Sequence, residues 1–420
     1  MTKIWIWNHY SANMYFEKSG RHFGFAKNLI RLGYDVTIFS SSNSHTNQQS
    51  IDFEKGQLFN LKRASGIPFL FLRTPKYSDQ KFERLINMFV FFLLLFPAAF
   101  KFSKKSGKPN IIYASSVHPL TLVAGIIMAR FFNIPCLCEI RDLWPASFVA
   151  YKVLQEGSLF MRLLYWCEKA IYSYADLLVF TMEGGKEYIK EMGWSKETGG
   201  DIDLKKVFHL NNGVDLAKFN FCREKFVFPD FDLDDTTSFK VVYTGSIGRA
   251  NNIGLFLEIA EELKLKKLEN IKILVYGDGD CLNELRANAK EKGLKNIFFK
   301  GRVEKKFIPS ILSRSSINIM DLFYHKIFDY GVSPNKLFDY LASGKPILAV
   351  RTNYDLIERF DCGLISDTLE PREISRLIEE FTNMKPETYE RMAKNALLAA
   401  NSFDFKNLTN ELVKIMQNGL

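Results

Sequence analysis

The chain has little cysteine for its 420 residues: Cys136, Cys138, Cys167, Cys222, Cys281 and Cys362, with no C-x-x-C pair. That excludes a disulfide scaffold and a thiolate zinc site, and it fits reduced thiols in a cytosolic protein. No block of Lys and Arg is long enough to favour nucleic acid, although the net charge is +9. The excess of base asks instead for an acidic small partner or an anionic surface. The glycine fingerprint G-x-G-x-x-G is missing after the first strand, which argues against a dinucleotide-dependent dehydrogenase. The N-terminus runs straight into Lys3-Ile-Trp-Ile-Trp7 without a basic n-region or cleavage site, so no secretory signal is expected.

Aromatic carbon, by contrast, is abundant. There are 38 Phe, enough for large aromatic cores or an apolar surface. Hydrophobic content of 47% with 25% charge is ordinary for globular chains, and this length normally makes two domains.

The first half alternates strand and helix. Ile4–Trp7 predicts a strand and Asn8–Ser19 a polar loop. Gly20-Arg-His22 leads into a helix over 23–32, closed by Gly33, and Val36–Phe39 is the next strand. Such a β–loop–α–β unit opens a doubly wound α/β domain, whose ligands sit at the carboxyl ends of the strands. Gly20 permits close backbone approach to a ligand, or serves as a turn glycine. Two later strands, Ile111–Ala114 and Ile134–Ile140, end in Ser115-Ser-Val-His118 and Glu139-Ile-Arg-Asp-Leu-Trp-Pro145. His118, Glu139, Arg141 and Asp142 are therefore the ionisable groups nearest the expected chemistry, with an Arg141 pair to Asp142 or Glu139 as the structural alternative.

Leu85–Phe100 is almost wholly apolar, but it is shorter than the roughly 20 residues of a membrane span and contains Asn87 and Pro97. Lys101, Lys104, Lys105 and Lys108 follow at once. This reads as an interfacial helix whose lysines meet anionic headgroups, or as a buried helix with a solvated basic end.

Val207–Asp215 reads as a strand ending in a turn at Asn212-Gly213, and a polar connector is expected over 215–238. The alternation then restarts. Lys240–Tyr243 is a strand, Thr244-Gly-Ser-Ile-Gly248 a small-residue loop whose amides suit a phosphate, and Arg249 adds charge. Ile271–Tyr276 is the next strand, ending in Gly277-Asp-Gly-Asp280. Gly331-Val-Ser-Pro-Asn-Lys336 leads into a short helix that stops at Gly344. Ser333 is the expected N-cap and Pro334 the first helical residue, with Lys336 in the first turn and Asp339 one turn on. A helix start of this kind suits a phosphate, and a carboxylate one turn in suits sugar hydroxyls. A capped helix with a solvated Lys is the alternative.

Asn212-Gly-Val-Asp215, Tyr276-Gly-Asp-Gly279, Phe299-Lys-Gly-Arg-Val303 and above all Ser333-Pro-Asn-Lys-Leu-Phe-Asp-Tyr-Leu-Ala-Ser-Gly-Lys-Pro346 resemble the family-four glycosyltransferases. The resemblance implies the GT-B fold: α/β, two doubly wound Rossmann-like domains facing each other across a deep cleft. It implies an acceptor domain over 1–215 with a membrane-facing helix near 85–102, a donor domain over 216–400, and a C-terminal helix over 401–420 packing back on the first. Glu139-Ile-Arg-Asp-Leu-Trp-Pro145 is similar to the branch that builds bacterial capsule, O-antigen and exopolysaccharide, typified by amino-sugar transferases.

The implied activity is metal-independent, retaining transfer of a sugar, an N-acetylated amino sugar by analogy, from a UDP-sugar to a polyprenyl-diphosphate-linked glycan. The nucleotide sugar enters as substrate, and no cofactor, metal or nucleic acid is expected. The expected place is the cytoplasmic, inner face of the plasma membrane. The implied catalytic residues are Arg141, Asp142, His118 and Lys336. Donor binding falls to Gly20, Gly245, Ser246, Arg249, Arg302, Val303, Ser333, Pro334, Asn335 and Asp339. Three positions depart from the family. Gly331 stands where many members carry the first of two glutamates, and Asp339 stands for the second. Ser246 stands at the Arg of the diphosphate clamp, with Arg249 and Lys336 as substitutes. Arg141 stands where a cleft His is common. A nucleotide-sugar 2-epimerase of the same fold, and a silent nucleotide- or glycan-binding subunit, are the competing expectations.

Overall fold

The computed structural model describes residues 1–44, 49–76, 81–116, 118–150, 153–248, 251–320, 325–351 and 355–419. The chain divides into two units, Met1–Asn211 with Phe405–Leu420, and Asn212–Asp404. Each is built on a sheet of the doubly wound kind.

In the first unit the strands are β1 (Lys3–Trp7), β2 (Asp35–Ser41), β3 (Phe59–Ala64), β4 (Ile67–Leu72), β5 (Ile111–Ser115), β6 (Cys136–Ile140), β7 (Leu177–Phe180) and β8 (Val207–His209), in the order β3-β4-β2-β1-β5-β6-β7-β8. All pairs are parallel except β3–β4. Central strands are buried on both faces, as a parallel sheet covered by helices requires: Ile4 to Trp7 and Leu177 to Phe180 are wholly inaccessible. The chain moves one way from β1 to β2 and the other way from β4 through β8. Right-handed crossovers therefore place helix Arg21–Arg31 on one face of the sheet. Helices Lys81–Ser106, Pro119–Phe132 and Leu159–Tyr174 lie on the other. The C-terminal helix Phe405–Asn418 packs against Arg21–Arg31. Gly24 is needed there, since a Cβ would lie 2.5 Å from the Phe405 ring.

The second unit has strands β9 (Phe239–Thr244), β10 (Ile271–Tyr276), β11 (Ile297–Gly301), β12 (Ile317–Ile319), β13 (Ile347–Val350) and β14 (Gly363–Ser366), all parallel, in the order β11-β10-β9-β12-β13-β14. The stretch 215–238 is not an open connector. Asp215 and Asp230 each accept a backbone N–H and start helices Leu216–Lys225 and Phe231–Asp234.

The apolar stretch after β4 is longer than its apolar run: helix Lys81–Ser106 continues through Pro97 into the lysines. By length and composition, Phe82–Ser106 is long and apolar enough to cross a membrane, and a third of its most apolar window is buried. One side, with Phe91, Leu95, Ala98, Ala99 and Phe102, packs on the sheet, where Phe102 meets Trp5 at 5.4 Å between ring centroids. The other side leaves Phe82, Leu85, Ile86, Phe89, Leu93 and Phe100 exposed. The buried-helix reading describes the first side, and the second is apolar and exposed.

Candidate functional site

Strand order locates the crevice of each sheet. Where the order reverses, the loops leaving two neighbouring strands diverge to opposite faces and open a gap at their carboxyl ends. In the first unit the reversal lies between β1 and β5, and in the second between β9 and β12.

At the first reversal the loop after β1 brings His9 to His118, which follows β5. Their rings approach at 3.2 Å, Nε2 of His118 to Nδ1 of His9, and His9 Nε2 bonds Asn87 Oδ1 at 2.6 Å. His118 Nδ1 is buried with no hydrogen-bond partner among the described residues, and burial lowers the His118 pKa to about 4. A folded-state pKa below that of the unfolded chain gives stability that is complete above about pH 6.5 and lost as pH falls toward 4. His118→Gln is expected to remove on the order of 3 kcal/mol of that acid loss. Urea unfolding of both proteins at pH 4.5 and 7 measures the difference, and parallel losses in the two would refute it.

Glu139, next to last in β6, is wholly buried. Its carboxylate accepts from Arg21 Nε at 2.6 Å, His22 Nε2 at 3.0 Å, Ser115 Oγ at 2.7 Å and the Tyr113 hydroxyl. Burial would raise the carboxyl, but Arg21 and His22 outweigh it and hold Glu139 well below the usual carboxylate range. Burial lowers the His22 pKa, so the ring is neutral and donates through Nε2 while Nδ1 takes the Asn8 amide at 2.8 Å. Arg21 also donates to the carbonyls of Leu210, at 2.9 Å, and Asn211. The partner of Glu139 is thus Arg21 and not Arg141. The hub fixes helix Arg21–Arg31, which starts at Gly20 with φ 105°, a conformation that favours glycine.

Arg141 and Asp142 follow Glu139 at the same edge. The Arg141 amide donates to Ser116 Oγ at 3.0 Å, tying the ends of β5 and β6. Asp142 reaches solvent from the wall of a recess that also includes Ser116, Leu122, Trp144, Leu164 and Glu168; crowding by these walls raises its carboxyl pKa, with Arg141 opposing. The cavity is about 40 Å³, room for a few waters and not for a sugar ring. Glu168, on its floor, accepts from Tyr172 and Tyr188 at 2.7 Å each, and burial pushes it up to about 8.

In the second unit the Thr244–Gly248 loop leaves β9 at the reversal. It packs backbone to backbone on the loop after β10: Gly245 N–H meets the Tyr276 carbonyl at 3.0 Å and Ile247 N–H the Asp278 carbonyl at 2.8 Å. Helix Asn335–Ala342 lies next to it, held by buried Leu337, Phe338, Tyr340 and Leu341, each worth about 1.5–3 kcal/mol. The Thr244 N–H donates to the Tyr340 hydroxyl at 2.9 Å. Lys336 in the first turn donates to the Tyr243 hydroxyl at 2.9 Å, its ammonium 4.6 Å from the ring centroid, and that hydroxyl donates to the Ser246 carbonyl at 3.0 Å. Gly245 is required, because a Cβ there would sit 2.7 Å from both the Lys336 ammonium and the Tyr243 hydroxyl. Lys336, Gly245 and Ser246 are therefore one cluster.

Other expectations are corrected. Pro334, not Ser333, is the N-cap, with φ −72° and ψ 141°, and the helix starts one residue later than expected, without a side-chain cap. Ser333 Oγ instead accepts from the Asn212 N–H at 2.8 Å, and Asn335 Oδ1 from the Asn212 side chain. Asp339 is half-buried, and burial pushes its carboxyl up to about 6 against the pull of Lys305. Arg302 and Val303 follow β11 at the same sheet edge, Arg302 exposed. Gly331 has φ 93°. Arg249 lies outside the described residues. The buried residues His9 and Arg21 are the ones sequence reasoning missed. Their signal was position, His9 two residues past a strand end and Arg21 at a helix start after glycine.

The sequence matches the Glycosyl transferase 4-like domain model over residues 23–198 and the Glycosyl transferases group 1 model over 228–398. Between them these cover most of the chain, which belongs to the nucleotide-sugar glycosyltransferases of the GT-B type. Sucrose-phosphate synthase from Thermosynechococcus elongatus has a similar fold, with TM-score 0.71 and 16% identity over 100% of this chain and 99% of that one. Anabaena HepE, solved in complex with UDP, gives 0.64 and 12% over the whole of both chains. WaaG, a glycosyltransferase involved in lipopolysaccharide biosynthesis, gives 0.61 and 11% over 99% of each. No curated protein sequence matches.

Proposed function

We propose that this enzyme moves a sugar from a UDP-sugar to a lipid-linked glycan in the synthesis of a cell-surface polysaccharide, without a metal and with retention. One observation carries the donor half. A lysine ammonium, the open amino end of an eight-residue helix and a glycine loop meet at the reversal point of the second sheet. These groups are cationic or N–H donating, and they suit the charge that grows on a departing diphosphate. Asp339, one turn further on, is the candidate ribose ligand, and the backbone near Val303 the candidate base seat. HepE was solved with UDP-glucose, and WaaG serves lipopolysaccharide biosynthesis, which supports a nucleoside-diphosphate donor and a lipid-linked acceptor. In the first unit, Arg141, Asp142 and His118 are offered to the acceptor, and the exposed apolar side of helix Lys81–Ser106 to the membrane that carries it.

UDP release is the test. A panel of UDP-sugars is incubated with and without polyprenyl-diphosphate-linked sugar in vesicles. Release with at least one donor that requires the acceptor is expected. Loss of the donor without acceptor, with formation of its 2-epimer, would make the enzyme an epimerase; no consumption of any donor, with retained UDP binding, would make it a silent subunit.

A further inference from the structure

We infer that helix Leu159–Tyr174 is a second membrane anchor, and that with helices Lys81–Ser106 and Pro119–Phe132 it forms one continuous face that seats on an anionic bilayer. The inference rests on the proposed membrane-borne acceptor and extends it to a surface that nothing in the sequence motifs marks. Its ground is placement. The three helices lie side by side on one face of the first sheet, because all three crossovers run in the same direction.

That face is apolar where a soluble surface would be polar. Helix Leu159–Tyr174 turns Leu159, Phe160, Leu163 and Trp166 to solvent, with Trp166 66% and Leu163 53% exposed. On the middle helix Phe131 is 61% exposed. Contacts join the three helices on this side: Phe131 meets Phe100 of the long helix at 5.6 Å between centroids, and Arg130 lies 4.7 Å above the Tyr174 ring. Contiguous exposed apolar surface of this kind marks an interaction site.

Charge chooses the occupant. The acids of these three helices are Glu83 and the buried Glu168, whereas the long helix carries Arg84, Lys101, Lys104 and Lys105, the middle one Arg130 and the third Arg162 and Lys169. A second copy would bring the same positive face against itself, since a two-fold interface is self-complementary. An anionic headgroup layer matches both the base and, below it, the apolar side chains, with Trp166 suited to the boundary. Helix Leu159–Tyr174 also walls the strand-end recess through Leu164, Cys167 and Glu168. One helix therefore borders both the apolar face and the edge that carries Asp142.

Vesicle flotation separates the parts. The full chain is mixed with vesicles of equimolar phosphatidylglycerol and phosphatidylethanolamine, or of phosphatidylcholine. The variants are Leu163→Ser with Trp166→Ser, and Phe89→Ser with Leu93→Ser. All four side chains are exposed, and circular dichroism checks the fold. Each double variant is expected to lower the partition coefficient roughly tenfold, and phosphatidylcholine to bind more weakly than the anionic mixture. Flotation of the 163/166 variant like the wild type, with loss in the 89/93 variant, overturns the second anchor and leaves the long helix as the seat. Failure of the wild type to float overturns both readings. A dimer that the 163/166 variant splits, by light scattering, with unchanged flotation makes the face a self-interface and also overturns the inference.

Discussion

Lys336→Ala is expected to lower sugar-transfer turnover roughly 10²–10³-fold, the usual cost of removing one donor aimed at transition-state charge. Lys336 is held by the Tyr243 hydroxyl at 2.9 Å and stacked on its ring, at the mouth of the Gly245 loop. Bond cleavage at the anomeric carbon adds a further negative charge to a diphosphate that already carries one on each phosphorus, and this ammonium is a cation the fold fixes beside that loop. The fold itself does not depend on it. The helix is anchored by Leu337, Phe338, Tyr340 and Leu341, and truncating Lys336 opens no core cavity. The melting temperature of the variant should therefore match the wild type, and Lys336→Arg should recover part of the rate. Steady-state release of UDP measures it. Turnover near wild type in Lys336→Ala, with normal melting, would remove Lys336 from the donor site.

Glu139→Ala is expected to destabilise the first unit by about 3–5 kcal/mol, because it strands the buried Arg21 guanidinium without its counter-charge. Arg21 and Glu139 are both essentially inaccessible, and the carboxylate collects four donors, so no solvent can replace them. Replacing both residues by apolar ones, as in Arg21→Met with Glu139→Leu, should cost less than the sum of the single changes, the mark of a coupled pair. The acid dependence has a definite sign. The Glu139 pKa is lower in the fold than in the unfolded chain, so its stabilisation is complete above about pH 4.3 and lost as pH falls through the folded value. His22 adds acid loss at higher pH, from about 6.5 downward, because its folded pKa is lowered too. Denaturant unfolding of the wild type, the singles and the double gives the coupling. Additive singles would reduce the hub to independent contacts.

These two residues also mark what sequence can and cannot say. The second unit was legible because its ligand-facing loops are contiguous: Thr244–Gly248 and 331–346 each carry their own turn glycines, helix and strand. Helix Asn335–Ala342 falls within the periodic stretch that predicted it, and the cap failed only because Ser333 turns to Asn212, a contact 121 residues away. The buried hub of the first unit was not legible, since Arg21, Tyr113 and Glu139 are distant in sequence and meet only when β5 and β6 pair beside helix Arg21–Arg31. The β3–β4 hairpin was hidden for another reason. β4 is a continuous apolar run with a proline and β3 an exposed edge, so neither alternates, although Ser65 and Gly66 take the positive φ of 50° and 85° that a tight hairpin turn needs. Helix Leu159–Tyr174 showed its apolar content in sequence but not its exposure, because an outward Trp166 and an inward Ile171 look alike until a sheet is placed beneath them.

The donor diphosphate is proposed to sit in the second unit, at the reversal between β9 and β12. Photolabelling with 5-azido-UDP, followed by peptide mapping with and without excess UDP, tests it most directly. UDP-protected label is expected in peptides spanning 243–248, 301–303 or 333–339. Label confined to the first unit, or label that UDP does not displace, would contradict it.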